Sequence, residues 1–240
     1  MLNILGKRRK ERRLKYLASS FRQLGPWVTN FVIDGVASGG VYDPCNDPRM
    51  PWFFEDFPNV KTILDLGCLE GAQSFSLAER PSVVRVLGLD ARPANIERAN
   101  FIKTACGIKN VRFARADLET VSLMEYGRFD AVFCCGVLYH LPEPWRLIEQ
   151  IAAVTDRLFV WTHYAAADAA IEERAGYRGA VYREFGWDDA QSGVSPESFW
   201  LVFDDLMKII DENGFEIIRI IEKSPHVQPG PITTFSSIRL

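Results

Sequence analysis

Short apolar runs alternate with amphipathic stretches through the middle of the chain. Runs at about 61–66, 84–89, 110–115, 129–135 and 157–162 are dense in Val, Ile, Leu and Phe, and their length and composition predict strands. Between them, residues 71–80, 93–106 and 143–154 read as helices. Strand and helix repeated this often predict an α/β fold with a parallel sheet and helices on both faces. Right-handed crossovers leave a doubly wound sheet as the economical topology.

The flanks read differently. Residues 2–24 predict a basic helix with Leu14, Leu17 and Phe21 on one stripe, ended by Gly25-Pro26. Residues 26–60 look irregular, with turn signals at Gly39-Gly40, Asp43-Pro44, Asp47-Pro48 and Phe57-Pro58. Their aromatics, among them Trp27, Phe31, Tyr42 and Trp52, suggest a packed covering segment. Residues 163–199 break the alternation and read as an insertion on the substrate side. Ser195, followed by Pro196, looks like the cap of a helix over about 198–213. Asn213-Gly214 then leads into a strand at 215–222, and a last strand spans 232–240. The expected division is a basic helix at 1–25, a covering segment at 26–60 and one α/β domain at 61–240.

Composition narrows the class. At 240 residues with 48% apolar content, the chain can bury a full core in one domain with elaborations. It lacks an apolar run long enough to span a bilayer, and charges follow Leu2–Leu5 at once, so neither a membrane span nor a secretory leader is expected. The protein reads as cytoplasmic. Five cysteines without CxxC spacing and three dispersed histidines predict neither a disulfide framework nor a metal site. Residues 7–15 hold seven basic residues and one acid, a net +6 within an overall −3, which leaves −9 on the remainder. Such a run is either a solvated helix face or a contact for nucleic-acid phosphates or an anionic surface.

Ligands of open α/β sheets bind beyond the carboxyl ends of the strands, so the loops there carry the chemistry. The first strand ends in Asp65-Leu66-Gly67-Cys68-Leu69-Glu70-Gly71. Gly67 and Gly71 permit a tight turn and a close helix start. A dinucleotide site wants another glycine two positions after Gly67, and Leu69 stands there instead. The second strand ends at Asp90, 19 residues after Gly71, where an acid can accept hydrogen bonds from both ribose hydroxyls; the alternative is a helix cap. Asp117-Leu118 follows the third strand, a carboxylate for an exocyclic amine beside a leucine for an adenine ring. Asp117 could equally be a plain cap.

These successive strand ends resemble the motifs of the class I S-adenosylmethionine-dependent methyltransferases, over about residues 60–240. The resemblance implies a Rossmann-like seven-stranded sheet whose last strand is antiparallel, with S-adenosyl-L-methionine as cofactor. It places Asp65, Gly67, Cys68, Gly71, Asp90, Ala91, Asp117 and Leu118 around the cofactor, with Cys135 and Gly136 beside its methionine part. Leu69 departs from the common pattern, but this cofactor has no pyrophosphate to clash with it. Tyr139-His140-Leu141 followed by Pro142-Glu143-Pro144 resembles a subset that includes the tRNA wobble-uridine carboxymethyltransferases.

Methyl transfer to oxygen or nitrogen needs an aligned acceptor and, for a hydroxyl or protonated amine, a base. His140 is the first candidate, against a structural histidine at the strand end. Tyr139 opens the same turn, and His163 and Tyr164 follow the fifth strand toward the same crevice. The aromatic and charged residues of 177–184 and Phe199-Trp200 suit either an acceptor pocket or loop packing. The leading expectation is a methyltransferase acting on a small-molecule or lipid- or sugar-linked acceptor. The alternatives are a tRNA-modifying methyl or carboxymethyl transferase and a non-catalytic module that keeps the cofactor fold.

Overall fold

The computed structural model describes residues 2–166, 168–169 and 171–239, with the side chains of 2–5 left aside. Leu240, the expected end of the last strand, lies outside the described residues. The central strands are β3 (Thr62–Leu66), β4 (Arg85–Asp90), β5 (Val111–Arg115), β6 (Ala131–Cys135) and β7 (Arg157–His163), joined at one edge by β11 (Glu216–Ser224) and β12 (Ile232–Ile238). Their order across the seven-stranded sheet is β11-β12-β7-β6-β3-β4-β5. The inner pairs are parallel, while β12 runs antiparallel to both β7 and β11. Strand order reverses between β3 and β6, which opens the crevice where a ligand belongs.

Alternation along the strands builds two apolar layers. Leu64, Leu66, Val132 and Cys134 pack with Ile148 and Ile151 of α5 (Pro144–Val154) and with Ile209 of α6 (Phe203–Glu212). Ile63, Ala131, Phe133 and Cys135 face the other way. They meet α1 (Leu2–Leu24), α2 (Arg49–Asp56), α3 (Ala72–Ala78) and α4 (Pro93–Cys106). Both faces are covered, so the inner strands read as continuous apolar runs.

The flanks depart from expectation in two places. Residues 26–60 are not irregular throughout: they hold a short hairpin, β1 (Val32–Ile33) with β2 (Val36–Ala37), and the helix α2. Pro48 and Pro51 disguise α2 as a turn, yet both sit at its start, where a missing N–H removes no helical hydrogen bond. Phe53 anchors α2, fully buried and edge-on to Phe133 and Phe159 at 5.6 and 5.8 Å. The insertion forms a three-stranded antiparallel sheet of β8 (Glu172–Arg174), β9 (Tyr177–Arg183) and β10 (Glu197–Leu201). Ser195 therefore caps no helix, and the residues after it pair with β9. Helix α6 starts only at Phe203, behind Val202.

α1 docks through Leu17 and Phe21 against Trp27 and Phe101, as its stripe predicts. Residues 7–13 are exposed, and among the described residues Arg13 is the member of that run that is tied down, to Asp34 and to the Ala105 carbonyl. No helix among the described residues is long and apolar enough to cross a membrane.

Candidate active site

The loop after β3 is built by backbone constraint. Gly67 takes a φ of 68°, and a Cβ there would stand 2.5 Å from Val137 Cγ2. Gly71 takes 86°, and its Cβ would meet the Phe113 ring at 2.6 Å. Both positions need glycine for conformation and for space. Between them Leu69 also adopts a left-handed φ, 51°, so the position where sequence logic wants a glycine has a glycine-like backbone.

Asp90 holds that shape. Its Oδ2 accepts from Leu69 N at 3.0 Å, and its Oδ1 accepts from Arg92 N at 2.8 Å and from Asn95 Nδ2 at 3.0 Å. Burial raises its pKa above the usual carboxylate range, with those three hydrogen bonds opposing the shift. Those bonds use three of the four acceptor sites of the carboxylate, and Oδ2 keeps one lone pair for a ligand hydroxyl. Asp117 Oδ1 accepts from Glu119 N at 3.0 Å, while Oδ2 has no hydrogen bond among the described residues.

A cleft of about 110 Å³ opens at the switch point. Gly67, Leu69, Asp90, Ala91, Asp117 and Leu118 line it, with Gly136 and His140 farther along. Residues 190–194 of the insertion complete the lining. They are held by Arg92, whose Nη2 donates to the carbonyls of Gly186 and Ser192 at 2.6 and 2.8 Å. Ser195 Oγ adds a bond of 2.7 Å to Glu119 Oε2.

A second cavity of about 250 Å³ adjoins it. Gly67, Leu69, Gly136, His140 and Gln191 line both spaces, so His140 stands on their seam. Cys68, Cys135 and Tyr139 line only the second.

His140 is fixed by a partner in the insertion. Its Nδ1 lies 3.1 and 3.2 Å from the two carboxylate oxygens of Glu184. Burial pushes the Glu184 carboxyl up, but hydrogen bonds from His140, Ser192 and the Gly193 N–H outweigh it and bring the pKa to about 2. The ionised carboxylate keeps a proton on Nδ1, so Nε2 is the ring nitrogen that can accept one.

Four expected residues lie elsewhere. Asp65 is buried beneath the loop and accepts from Ser74 Oγ at 2.5 Å; it lines neither space. Burial pushes its carboxyl up to about 7. Gly71 serves the packing against Phe113. His163 Nδ1 faces the carbonyls of Gly230 and Pro231 at 2.9 and 3.2 Å, and its ring stacks on Trp200 at 4.8 Å. It belongs to an aromatic slot behind Tyr139, where burial lowers its pKa. Tyr164 is also buried, edge-on to Phe203 at 5.4 Å.

Other residues of the site escaped sequence reasoning. Arg92 carries a local signal, an arginine between a strand-end acid and a helix-opening proline. Glu184 falls in the 177–184 stretch read as an acceptor pocket or loop packing, but its pairing with His140 has no sequence signal, and residues 190–194 carry none, because only the tertiary fold brings them back over the crevice.

The sheet order and the strand-end acids define a nucleoside-binding, Rossmann-like α/β protein. A family model described as a methyltransferase domain matches residues 59–184. The N-terminal domain of EvdMO1, solved in the presence of SAH (S-adenosylhomocysteine) and D-fucose, superposes with a TM-score of 0.82 and 32% identity, over 94% of this chain and 96% of that one. Trans-aconitate 2-methyltransferase of Deinococcus radiodurans is 34% identical over 89 residues, 37% of this chain and 31% of the relative. Ubiquinone biosynthesis O-methyltransferase of Dechloromonas aromatica is 29% identical over 108 residues, 45% of each. The chain thus spans less than half the length of these two curated relatives. It belongs to the class I S-adenosylmethionine-dependent methyltransferases, whose cofactor is S-adenosylmethionine. The residues present fit that cofactor: a paired acid for ribose, an open carboxylate oxygen and a leucine for adenine, and a Leu69 side chain where a pyrophosphate would need room.

Proposed function

We propose that this chain transfers a methyl group from S-adenosylmethionine to a hydroxyl oxygen of a small-molecule acceptor, with His140 as general base. The observation that carries the reading is His140 on the seam of the two cavities, with Nδ1 pinned by an ionised Glu184. Asp90, Asp117, Leu118 and the Gly67 loop would hold the nucleoside; Cys68, Cys135 and Gly136 would flank the amino-acid tail. The bound cofactor supplies the activated methyl: its S–CH3 bond breaks as the O–CH3 bond forms, and the electron pair stays on sulfur. His140 Nε2 takes the hydroxyl proton as the new bond forms, and Glu184 stabilises the imidazolium. The roof at 190–194 keeps water from the reacting atoms.

Support for an oxygen acceptor comes from the O-methyltransferase named among the relatives and from the sugar present with the EvdMO1 domain. A nitrogen acceptor needs the same base only when it enters protonated. The tRNA-directed reading, methyl or carboxymethyl, draws nothing from these relatives; it rests on the exposed cations of 7–12 and on the Tyr139-His140-Leu141 resemblance. Calorimetry with SAH, followed by methyl-label transfer into a panel of hydroxylated metabolites, tests the proposal. Tight SAH binding that Asp90→Ala destroys, with label in a methyl ether, is the expected result. No SAH binding by the intact chain would overturn it.

A further inference from the structure

α1 lies against α4 in the opposite direction, and that decides where its basic end goes. Arg13 Nη2 donates to the Ala105 carbonyl at 3.0 Å. The Tyr16 and Phe21 rings lie 6.3 and 5.6 Å from that of Phe101, and the Leu24 carbonyl accepts from Arg98 Nε at 2.7 Å. α4 leaves the crevice at Pro93 and ends at Cys106, just before β5 begins at Val111. Residues ahead of Arg13 therefore run out past the amino ends of the strands, away from Asp90, Asp117 and His140. Gly6 to Arg12 are exposed at every position, about two turns of helix, so this stretch faces solvent on all sides.

The two ends of the sheet differ in charge. Lys7, Arg8, Arg9, Lys10 and Arg12 form no ion pair among the described residues. Lys61, Arg85, Lys109 and Arg112 stand at or just before the starts of β3, β4 and β5, all exposed at the same corner. Of the acids there, Asp34 is taken by Arg13, and Asp130 accepts from the Lys61 and Thr62 N–H groups; Glu11 and Glu79 remain. The crevice end is acidic instead: Asp90, Asp117 and Glu119 line it, and Arg92 is bound to the Gly186 and Ser192 carbonyls. We infer that the basic corner is a docking surface for an anionic lipid bilayer, which α1 enters end-on while the crevice stays turned to solvent. Charge complementarity supplies the attraction, and the acidic end sets the orientation.

Three observations favour a bilayer over a nucleic acid. Lys7, Arg8, Arg9 and Lys10 occupy consecutive positions, which spreads their charge around the helix in steps of about 100°. A helix in a nucleic-acid groove needs its cations on one side, whereas a helix entering a headgroup layer end-on meets phosphates all round. The sequence ahead of them, Leu2-Asn3-Ile4-Leu5, is apolar at every position but Asn3. Such a turn suits the boundary between headgroups and acyl chains and has no use on a phosphate backbone; with the cations it makes the two signals that stable surface attachment takes. Lastly, an RNA gripped at this corner would lie a strand's length, about 17–20 Å, from the crevice. The cations therefore serve to place the protein rather than to present an acceptor to His140.

The test is cosedimentation of the whole chain with vesicles of phosphatidylcholine alone and of phosphatidylcholine with about one-third phosphatidylserine. Each is run at about 0.05 M and about 0.5 M salt, beside filter binding of bulk tRNA under the same conditions. The anionic vesicles should bind the protein at least about tenfold tighter than the neutral ones, and the higher salt should release it. The triple variant Arg8→Gln/Arg9→Gln/Lys10→Gln should bind them about 100-fold more weakly, at about fivefold per cation. Its SAH affinity and melting temperature should match those of the wild type, which shows that the fold is intact, and SAH should bind vesicle-bound and free protein alike. Equal binding to neutral vesicles, tRNA held tighter than anionic vesicles at the same salt, or a triple variant that binds like the wild type would each overturn the bilayer reading. Exclusion of SAH from vesicle-bound protein would overturn the orientation.

Discussion

His140 Nδ1 lies 3.1 Å from Glu184 Oε1, across 44 residues of sequence and from the main sheet to the inserted one. The base candidate is therefore oriented by a segment outside the fold that binds the cofactor. His140→Ala should lower kcat by about 10²–10⁴-fold and leave SAH affinity nearly unchanged. Glu184→Gln should cost about 10–100-fold. Unchanged turnover in both variants would make His140 a structural residue of the strand end.

Much of this architecture was legible because the inner strands are buried on both faces. Thr62–Leu66, Arg85–Asp90 and the helix Pro93–Cys106 follow directly from apolar runs and Pro and Gly punctuation. The covering helix was not, since Asp47-Pro48 reads as a turn until Pro48 is seen to cap the helix and Pro51 to lie in its first turn. Ser195-Pro196-Glu197 has every local mark of a helix start. Yet Phe199, Trp200 and Leu201 are buried against β9 and the core, and burial as a strand overrides a cap signal. Asp65 misled for another reason: an acid at a strand end looks the same in sequence whether it points up to a ligand or down into the core.

Leu69 offers a measure of the loop's backbone. A left-handed φ at a non-glycine residue costs about 1–2 kcal/mol, while a glycine adds about 0.4–1 kcal/mol of unfolded-state entropy. The second offsets only part of the first, so Leu69→Gly should leave stability in urea unchanged or raise it by up to about 1.6 kcal/mol, and keep SAH binding. Leu69→Val, β-branched, should lose about 1–2 kcal/mol more than the glycine variant. Equal losses in both would mean that the loop does not hold the left-handed turn.

Asp65 should make stability pH-dependent. Burial lifts its carboxyl from 3.8 to about 7, with the neighbouring Asp90 charge adding to the rise and the Ser74 hydrogen bond opposing it. The folded chain then keeps a proton that the unfolded chain releases over this interval. The resulting stability is complete below the unfolded value and is lost as pH climbs through about 7. Asp65→Asn removes the titration while keeping an oxygen for Ser74. Urea midpoints taken at about pH 5 and pH 8 should show the wild type losing ground to the variant at the higher pH. Parallel pH profiles would show that Asp65 is ionised in the fold throughout.

Arg92 links the cofactor acid to the roof. Its backbone N–H donates to Asp90 Oδ1 at 2.8 Å, and its guanidinium holds the Gly186 and Ser192 carbonyls across about a hundred residues of sequence. The guanidinium also lies 5.7 Å from the exposed Trp187 ring. Arg92→Ala removes these ties but keeps the backbone hydrogen bond to Asp90, so the floor of the cleft should persist while the roof loosens. Stopped-flow release of SAH should speed up by about tenfold, as expected for loss of a charge-assisted hydrogen-bond pair. Proteolysis within 186–194 should become faster in the same variant, and saturating SAH should slow it. Arg92→Lys, which keeps the charge without the planar fork, should fall between the two. Faster SAH release without faster proteolysis would assign Arg92 to direct cofactor contact and leave the roof held by Glu184 and Ser195 alone.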